Sequence, residues 1–345
     1  MKIQNILVIG ASVVLCGILM GTAWLQGNAN DWNKETLVSD VLEALGAPSP
    51  AHKPNDLSPE NIQRGRDLAT TGYAIGPDGK RSRIQSRYFA CTNCHLMDKE
   101  DPDLRVSDPE ARLTFLLQRN LPFLQGTTMY GTYNKESWYN GDYEKKYGDW
   151  IKPARHSLEG AINLCATVCS QGRALEAWEM DAMKAYFWSI SLKLGDLSLT
   201  ESDWQRLKSL QGTGKPDPAA VAWLKSFYRL GSPATFVEAP EDKRTGYQVG
   251  RKGNPEVGKH LFVRGCMSCH GAQGSSKYLK LDMGKLSLTM FRNKIASNGY
   301  FSLYEIIRHG THSTQGHRPY MPNYTAERMS NQQVEDLRAF VEAAP

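Results

Sequence analysis

Two short cysteine clusters carry the clearest chemistry in the sequence. Cys91-Thr92-Asn93-Cys94-His95 and Cys266-Met267-Ser268-Cys269-His270 repeat one pattern, C-x-x-C-H. Two thiols three positions apart can each add to one vinyl group of the same porphyrin, and the histidine that follows supplies the proximal iron ligand. The pattern predicts two covalently bound haem c groups, held through Cys91, Cys94, Cys266 and Cys269, with His95 and His270 on iron. A dithiol redox pair or half of a zinc site would use the same residue types. No second C-x-x-C at zinc-ribbon spacing follows either motif, and neither sits in an evident βαβ pattern.

The elements around the second motif are readable. Val257 to Gly265 reads as a helix running into Cys266. Downstream stands Arg318-Pro319-Tyr320-Met321-Pro322, and Ser330 opens a helix with Val334, Leu337, Phe340 and Val341 on one face. This order of helix, haem motif, methionine loop and closing helix resembles the class I cytochromes c over about the last hundred residues. The resemblance implies Met321 as sixth ligand, a soft neutral thioether that favours ferrous iron. The plain alternative makes Met321 core filler, with His309, His312 or His317 on iron.

No Met-Pro loop follows His95 before the next apparent domain. Instead comes Leu158-Glu159-Gly160-Ala161-Ile162-Asn163-Leu164-Cys165, then Ala166-Thr167-Val168-Cys169-Ser170-Gln171-Gly172-Arg173, continuing through Glu179-Met180-Asp181-Ala182-Met183 to Tyr186 and Trp188. This stretch resembles the N-terminal haem domain of the two-haem thiosulfate dehydrogenases and the haem-bearing SoxA subunit of sulfur oxidation. The resemblance implies Cys165 as the distal iron ligand and Arg173 as a basic residue for an anionic sulfur substrate, so these two are the candidate catalytic residues. The segment between His95 and Cys165 departs from that family, being rich in Tyr and Trp (Tyr130, Tyr133, Trp138, Tyr139, Tyr143, Tyr147, Trp150), and Cys169 is an extra cysteine.

Three readings of Cys165 and Cys169 stay open. On a helix they share a face one turn apart, where a disulfide is strained. They are otherwise two inert buried thiols, or a thiolate on iron, most simply Cys165. A thiolate pushes electron density onto iron, so the first haem would have the lower potential and pass electrons to the His/Met haem. Met129, His156, Met180 and Met183 are the other candidate ligands. Lys152, Arg155 and His156 form a basic cluster that reads either as an oxyanion-receiving group or as a solvated face.

The expected fold class is mainly α, with two cytochrome c-like haem domains in tandem behind an N-terminal membrane anchor or signal peptide. The expected divisions are 1–29 for that signal or anchor, 30–57 a tether, 58–210 the first haem domain, 211–253 a linker and 254–345 the second. Ile6 to Leu25 carries no charge behind Lys2, and twenty helical residues reach about 30 Å, the thickness of a bilayer core. Helices are expected at Thr36–Leu45, from Ser58, from Asp108, and at Glu176–Leu192, Thr200–Leu210 and Ala219–Leu230. A hydrophobic fraction of 41% marks a folded chain, and a net charge of +5 without a basic stripe gives no nucleic-acid footprint. The expectation is therefore electron transfer outside the cytoplasmic membrane, in the periplasm, with partner cytochromes or a respiratory complex. The alternative is a thiosulfate dehydrogenase-like oxidoreductase acting on a small sulfur oxyanion at the first haem.

Overall fold

A computed structural model describes residues 31–276, 279–295, 302–311 and 321–343. The expected anchor or signal peptide lies outside the described residues, as do His312 and His317. Among the described residues, no helix is long and apolar enough to cross a membrane.

The chain is mainly α. Its helices are α1 (Val38–Ala44), α2 (Pro59–Thr71), α3 (Pro109–Gln118), α4 (Glu144–Tyr147), α5 (Leu158–Leu164), α6 (Ala177–Ser189), α7 (Glu201–Leu210), α8 (Pro218–Lys225), α9 (Pro255–Leu261), α10 (Met267–His270), α11 (Lys285–Ile295), α12 (Leu303–His309) and α13 (Asn331–Ala343). Extended structure among the described residues is limited to two isolated bridges. Capping residues set the helix starts. Ser58 Oγ accepts from the Asn61 amide at 3.3 Å, Asp108 Oδ1 from Glu110 at 2.9 Å, and Ser330 Oγ from Gln333 at 3.0 Å. A proline follows the first two caps, where its missing N–H costs nothing.

Two helix pairs repeat one arrangement. Helix α2 packs on α6 and α9 packs on α13, each pair bracketing a C-x-x-C-H motif in sequence. A glycine sits at each contact: a Cβ on Gly65 would strike the Ala182 carbonyl, and one on Gly258 would strike the Asp336 carbonyl. The backbones therefore approach more closely than any larger residue permits.

The structure differs from the expected domain plan in two ways. Residues 30–57 and 211–253 are not free connectors. Val38, Val41, Leu42 and Leu45 put one apolar stripe of α1 into a core with Leu207 of α7, Ala220 and Leu224 of α8, and Tyr228. Also, one apolar core contains residues from both expected haem domains: Leu96, Leu113, Leu116, Phe123 and Leu124 pack with Leu261, Phe262, Tyr324, Leu337 and Val341. Helix α3, read as part of the first domain, is thus shared between the two.

A buried charge cluster fastens that shared core. Glu100 is fully buried, with Arg328 Nη1 at 2.6 Å, Arg328 Nη2 at 2.8 Å and Arg112 Nη1 at 3.3 Å. Burial alone would raise the Glu100 carboxyl, but Arg328 and Arg112 outweigh it and hold it at about 2 instead of its ordinary 4.5. The arginine side chains also bond to backbone carbonyls across the seam. Arg328 donates to the Leu124, Gln125 and Gly126 carbonyls, and Arg112 Nη2 donates to the Arg328 carbonyl at 2.5 Å.

Removing one partner of a buried pair strands the other charge, which costs about 3–5 kcal/mol. Arg328→Met is expected to destabilise the chain by about that amount in denaturant unfolding. Because the folded Glu100 value lies below the unfolded one, its contribution is present above about pH 4.5 and is lost as the pH falls toward about 2. The acid-unfolding midpoint of Arg328→Met should therefore lie at higher pH than that of the wild type, with the two curves converging below about pH 2.

Candidate functional site

One cleft lies between α2, α5, α6 and the loops that carry residues 85–95 and 322–328. Cys91, Cys94 and His95 form one part of its wall, and Cys165 and Cys169 another. Leu68, Leu158, Ile162, Met183 and Phe187 supply apolar lining.

His95 is placed from two sides. Its Nδ1 lies 2.6 Å from the Thr127 carbonyl, and the Gly126 Cα faces the ring, where any Cβ would meet the imidazole. With Nδ1 committed as donor, Nε2 is the nitrogen left to ligate. Burial also pulls the His95 imidazole below its ordinary value, which keeps it neutral as a ligand must be. His270 repeats the arrangement, with Nδ1 at 2.9 Å from the Leu279 carbonyl.

The distal cysteines occupy a π-helical turn, Cys165–Cys169, in which the Ser170 amide donates to the Cys165 carbonyl at 2.8 Å. Residues just before the first haem motif clamp this turn. Gln85 Nε2 donates to the Ala166 carbonyl at 2.8 Å and Ser86 Oγ to the Ser170 carbonyl at 2.5 Å. The haem motif and the two thiols are thereby held in fixed register. Both cysteines are free thiols, hydrogen-bonded to each other. The bond to Cys169, then burial, pushes the Cys165 thiol well up; the same bond, with help from Tyr147 and Lys146, pulls Cys169 down. The pair releases its first proton more easily than an isolated thiol does.

The basic residues singled out in the sequence lie elsewhere. Arg173 does not line the cleft: it grips the buried Glu179 carboxylate at 2.5 and 2.6 Å and the Arg83 carbonyl at 2.6 Å. It anchors the start of α6. Lys152 pairs with Asp149 at 2.8 Å, Arg155 with Glu144 at 2.7 Å, and His156 is exposed, so this cluster is a solvated face. Of the alternative ligands, Met129 and Met183 line the cleft while Met180 and His156 do not.

The aromatic-rich segment has a plain structural purpose. Trp138, Tyr139, Tyr143 and Tyr147 wall the cleft, with Tyr143 edge-on to Tyr139 at 4.8 Å. Sequence reasoning missed Gln125 and Lys135, which also line it. No local pattern marks either residue. The second domain contributes Pro322, Asn323, Thr325 and Arg328 to the same wall.

At the second motif, Cys266 closes a π-helical turn, Phe262–Cys266, and His270 ends α10. Met321 is half-buried and clamped to Thr311: its amide donates to Thr311 Oγ1 at 2.8 Å, and its carbonyl accepts from the Thr311 amide at 3.0 Å. His309 is turned to Glu238 and Glu305 at 3.3 and 3.4 Å. The two motifs also touch, since Cys269 Sγ donates to the Asn93 carbonyl at 3.6 Å.

Residues 255–345 match the family model for cytochrome c. This segment is a cytochrome c domain. It implies at least one covalently bound haem c, haem-based electron transfer, and the extracytoplasmic setting general to such proteins. The comparison with curated proteins finds no match to the chain. The first cleft brings together paired thiols, a histidine with Nδ1 on a backbone carbonyl, and apolar side chains.

Gly126→Ala is expected to push the His95 ring off its Thr127 bond, since a Cβ has no room there. The loading of the first site should fall while the cytochrome c domain keeps its haem. Haem per chain, measured on protein whose unfolding midpoint is checked alongside, reads this directly; unchanged loading would show that the ring's placement does not depend on Gly126.

Proposed function

We propose that the chain is a two-haem electron-transfer cytochrome, with one haem c at Cys91, Cys94 and His95 and the other at Cys266, Cys269 and His270. The observation that carries this reading is the shared placement of the two histidines, each with Nδ1 on a backbone carbonyl, at 2.6 and 2.9 Å. The repeated helix pairs, each closed over a glycine, support it. Bound at these sites, each haem supplies one-electron oxidation and reduction.

The residues divide the remaining work. Met321, held by Thr311, is the proposed sixth ligand of the second site, and a neutral thioether there raises the potential. Cys165 is the proposed sixth ligand of the first site, and a thiolate lowers it. Cys169, hydrogen-bonded to Cys165 and with Tyr147 Oη at 3.8 Å, keeps the pair ready to lose a proton. Electrons are then favoured to leave the first site toward the second. The Tyr and Trp wall limits water near the thiols.

A second reading is favoured by Cys165 and Cys169 lining the same cleft as His95: a sulfur-oxyanion oxidoreductase of the thiosulfate dehydrogenase kind. A pure carrier has no need of a second cysteine there. The proposed setting is the periplasmic side of the membrane, with protein redox partners in either case.

Electron paramagnetic resonance on wild type, Cys165→Ala and Cys169→Ala separates these assignments. A low-spin thiolate signal is expected in wild type, absent from Cys165→Ala and retained in Cys169→Ala. A signal that survives Cys165→Ala would falsify the Cys165 assignment. Adding thiosulfate to the oxidised protein tests the second reading: reduction of the haems supports an oxidoreductase, whereas fully oxidised spectra leave the carrier alone.

A further inference from the structure

We propose that the arginine-bearing ribbon at residues 75–87 is the docking surface for an acidic protein electron donor that serves the first site. The inference rests on the reading of the first cleft as a haem site, and it names the face by which electrons arrive there. Its first support is charge. Lys80, Arg81, Arg83 and Arg87 are all exposed, and Arg64 of α2 joins them, its Nε donating to the Ile75 carbonyl at 3.1 Å. Asp78 and Glu176 border the ribbon, but Glu176 reaches only Arg83, at 3.9 Å, and that arginine side chain is 79% exposed. Arg81 rests on the Tyr73 ring, 3.6 Å from its centre, and Lys80, Arg81 and Arg87 form no ion pair among the described residues. The basic cluster at Lys152 and Arg155 is the contrast, since each of those cations has its own carboxylate.

Shape and place agree with this. Ile75 pairs with Arg81 across an antiparallel bridge, around a turn in which the Gly79 amide donates to the Gly76 carbonyl at 3.0 Å. Side chains alternate along such a ribbon, so Arg81 and Arg83 share one face while Ser82 turns the other way, its Oγ accepting from the Ala74 amide at 3.2 Å. Ile75 and Ile84 stand 52% and 50% exposed among these cations. A protein partner covers the isoleucines with its own apolar atoms while its carboxylates meet the guanidinium groups; a small anion would leave the isoleucines in water. The ribbon then runs into the wall of the first cleft, where Gln85, Phe89 and Cys91 line it. It is braced from behind: the Gln85 amide donates to the Gly72 carbonyl at 2.7 Å, and Arg173 Nη2 to the Arg83 carbonyl at 2.6 Å. A donor seated on Arg81, Arg83 and Arg87 is thus held beside the wall that carries Cys91. Positive potential at such an entry speeds encounter with an acidic partner by about 10–10³-fold at low salt.

The test uses the full holoprotein, with haem per chain counted first, and a reduced plant-type ferredoxin as the acidic probe donor. Stopped-flow spectroscopy reads the second-order rate of haem reduction in wild type and in the triple variant Arg81→Gln, Arg83→Gln, Arg87→Gln. A control variant, Lys152→Gln, Lys208→Gln, Lys215→Gln, removes the same charge from other exposed positions. The wild-type rate is expected to fall steeply with added salt. The arginine variant should be slower by about tenfold or more at low ionic strength and lose most of its salt dependence, while the control stays near wild type. Dithionite should still reduce every chain fully, and the unfolding midpoints should agree. The inference is overturned if the arginine variant matches wild type. It is also overturned if the control loses as much, because overall charge and not this face then governs the rate. An anionic lipid surface is the competing occupant: if the arginine variant loses only its binding to phosphatidylglycerol vesicles and keeps its ferredoxin rate, the ribbon is a membrane face and the inference falls. Haem confined to the cytochrome c domain would instead sink the reading of the first cleft, and the inference with it, whatever the rates.

Discussion

The fold depends on one buried carboxylate. Glu100 sits with two arginines at the seam where both halves of the chain meet, and all three are buried. Charges so placed tolerate little freedom, because separating them leaves an unsolvated ion. Arg328 comes from the cytochrome c domain and Glu100 from the loop after the first haem motif. The two halves are thus joined by an interaction that cannot be loosened gradually, unlike an apolar contact that thins as surfaces slide.

That constraint reaches His95 through a short chain of bonds. Arg328 holds the Leu124, Gln125 and Gly126 carbonyls, Glu100 accepts from the Thr128 amide at 2.7 Å, and Thr127 between them receives His95 Nδ1. The loop that orients the first histidine is therefore fixed by a residue of the other domain. The carbonyl partner of His270, Leu279, lies only nine residues on in the same domain. The two sites share chemistry and differ in what secures them.

This difference explains what the sequence made legible. Both C-x-x-C-H motifs, the capped helix starts and the apolar stripe of α13 depend on residues within a few positions of one another, so spacing alone revealed them. Glu100 and Arg328 are 228 positions apart, and nothing near either marks it as buried or paired. Arg173 misled for the same reason: a basic residue beside a cysteine stretch looks available, yet the intervening turn brings Glu179 back onto it. Lys135 was invisible in the opposite sense, an ordinary lysine in an aromatic-rich stretch that comes to line the cleft. The helices of the expected tether and linker, α1 and α8, were legible from sequence, but not that they share one core with α7.

The shared seam also bears on how the two motifs work together. Cys269 and Asn93 are in direct contact, and the Phe123 amide donates to the Arg264 carbonyl at 3.0 Å beside them. Tyr324 closes the same spot, its hydroxyl donating to the Phe123 carbonyl at 3.0 Å. The separation of the attachment sites is then set by this packed interface and not by the intervening segment 211–253. Opening that interface would expose Glu100 unpaired. The first cleft, for its part, takes Pro322, Asn323, Thr325 and Arg328 from the second domain as part of its wall. A first domain cut away from the second would lose both the wall of its cleft and the support of its histidine, so the distal cysteines belong to a site that only the joined chain completes.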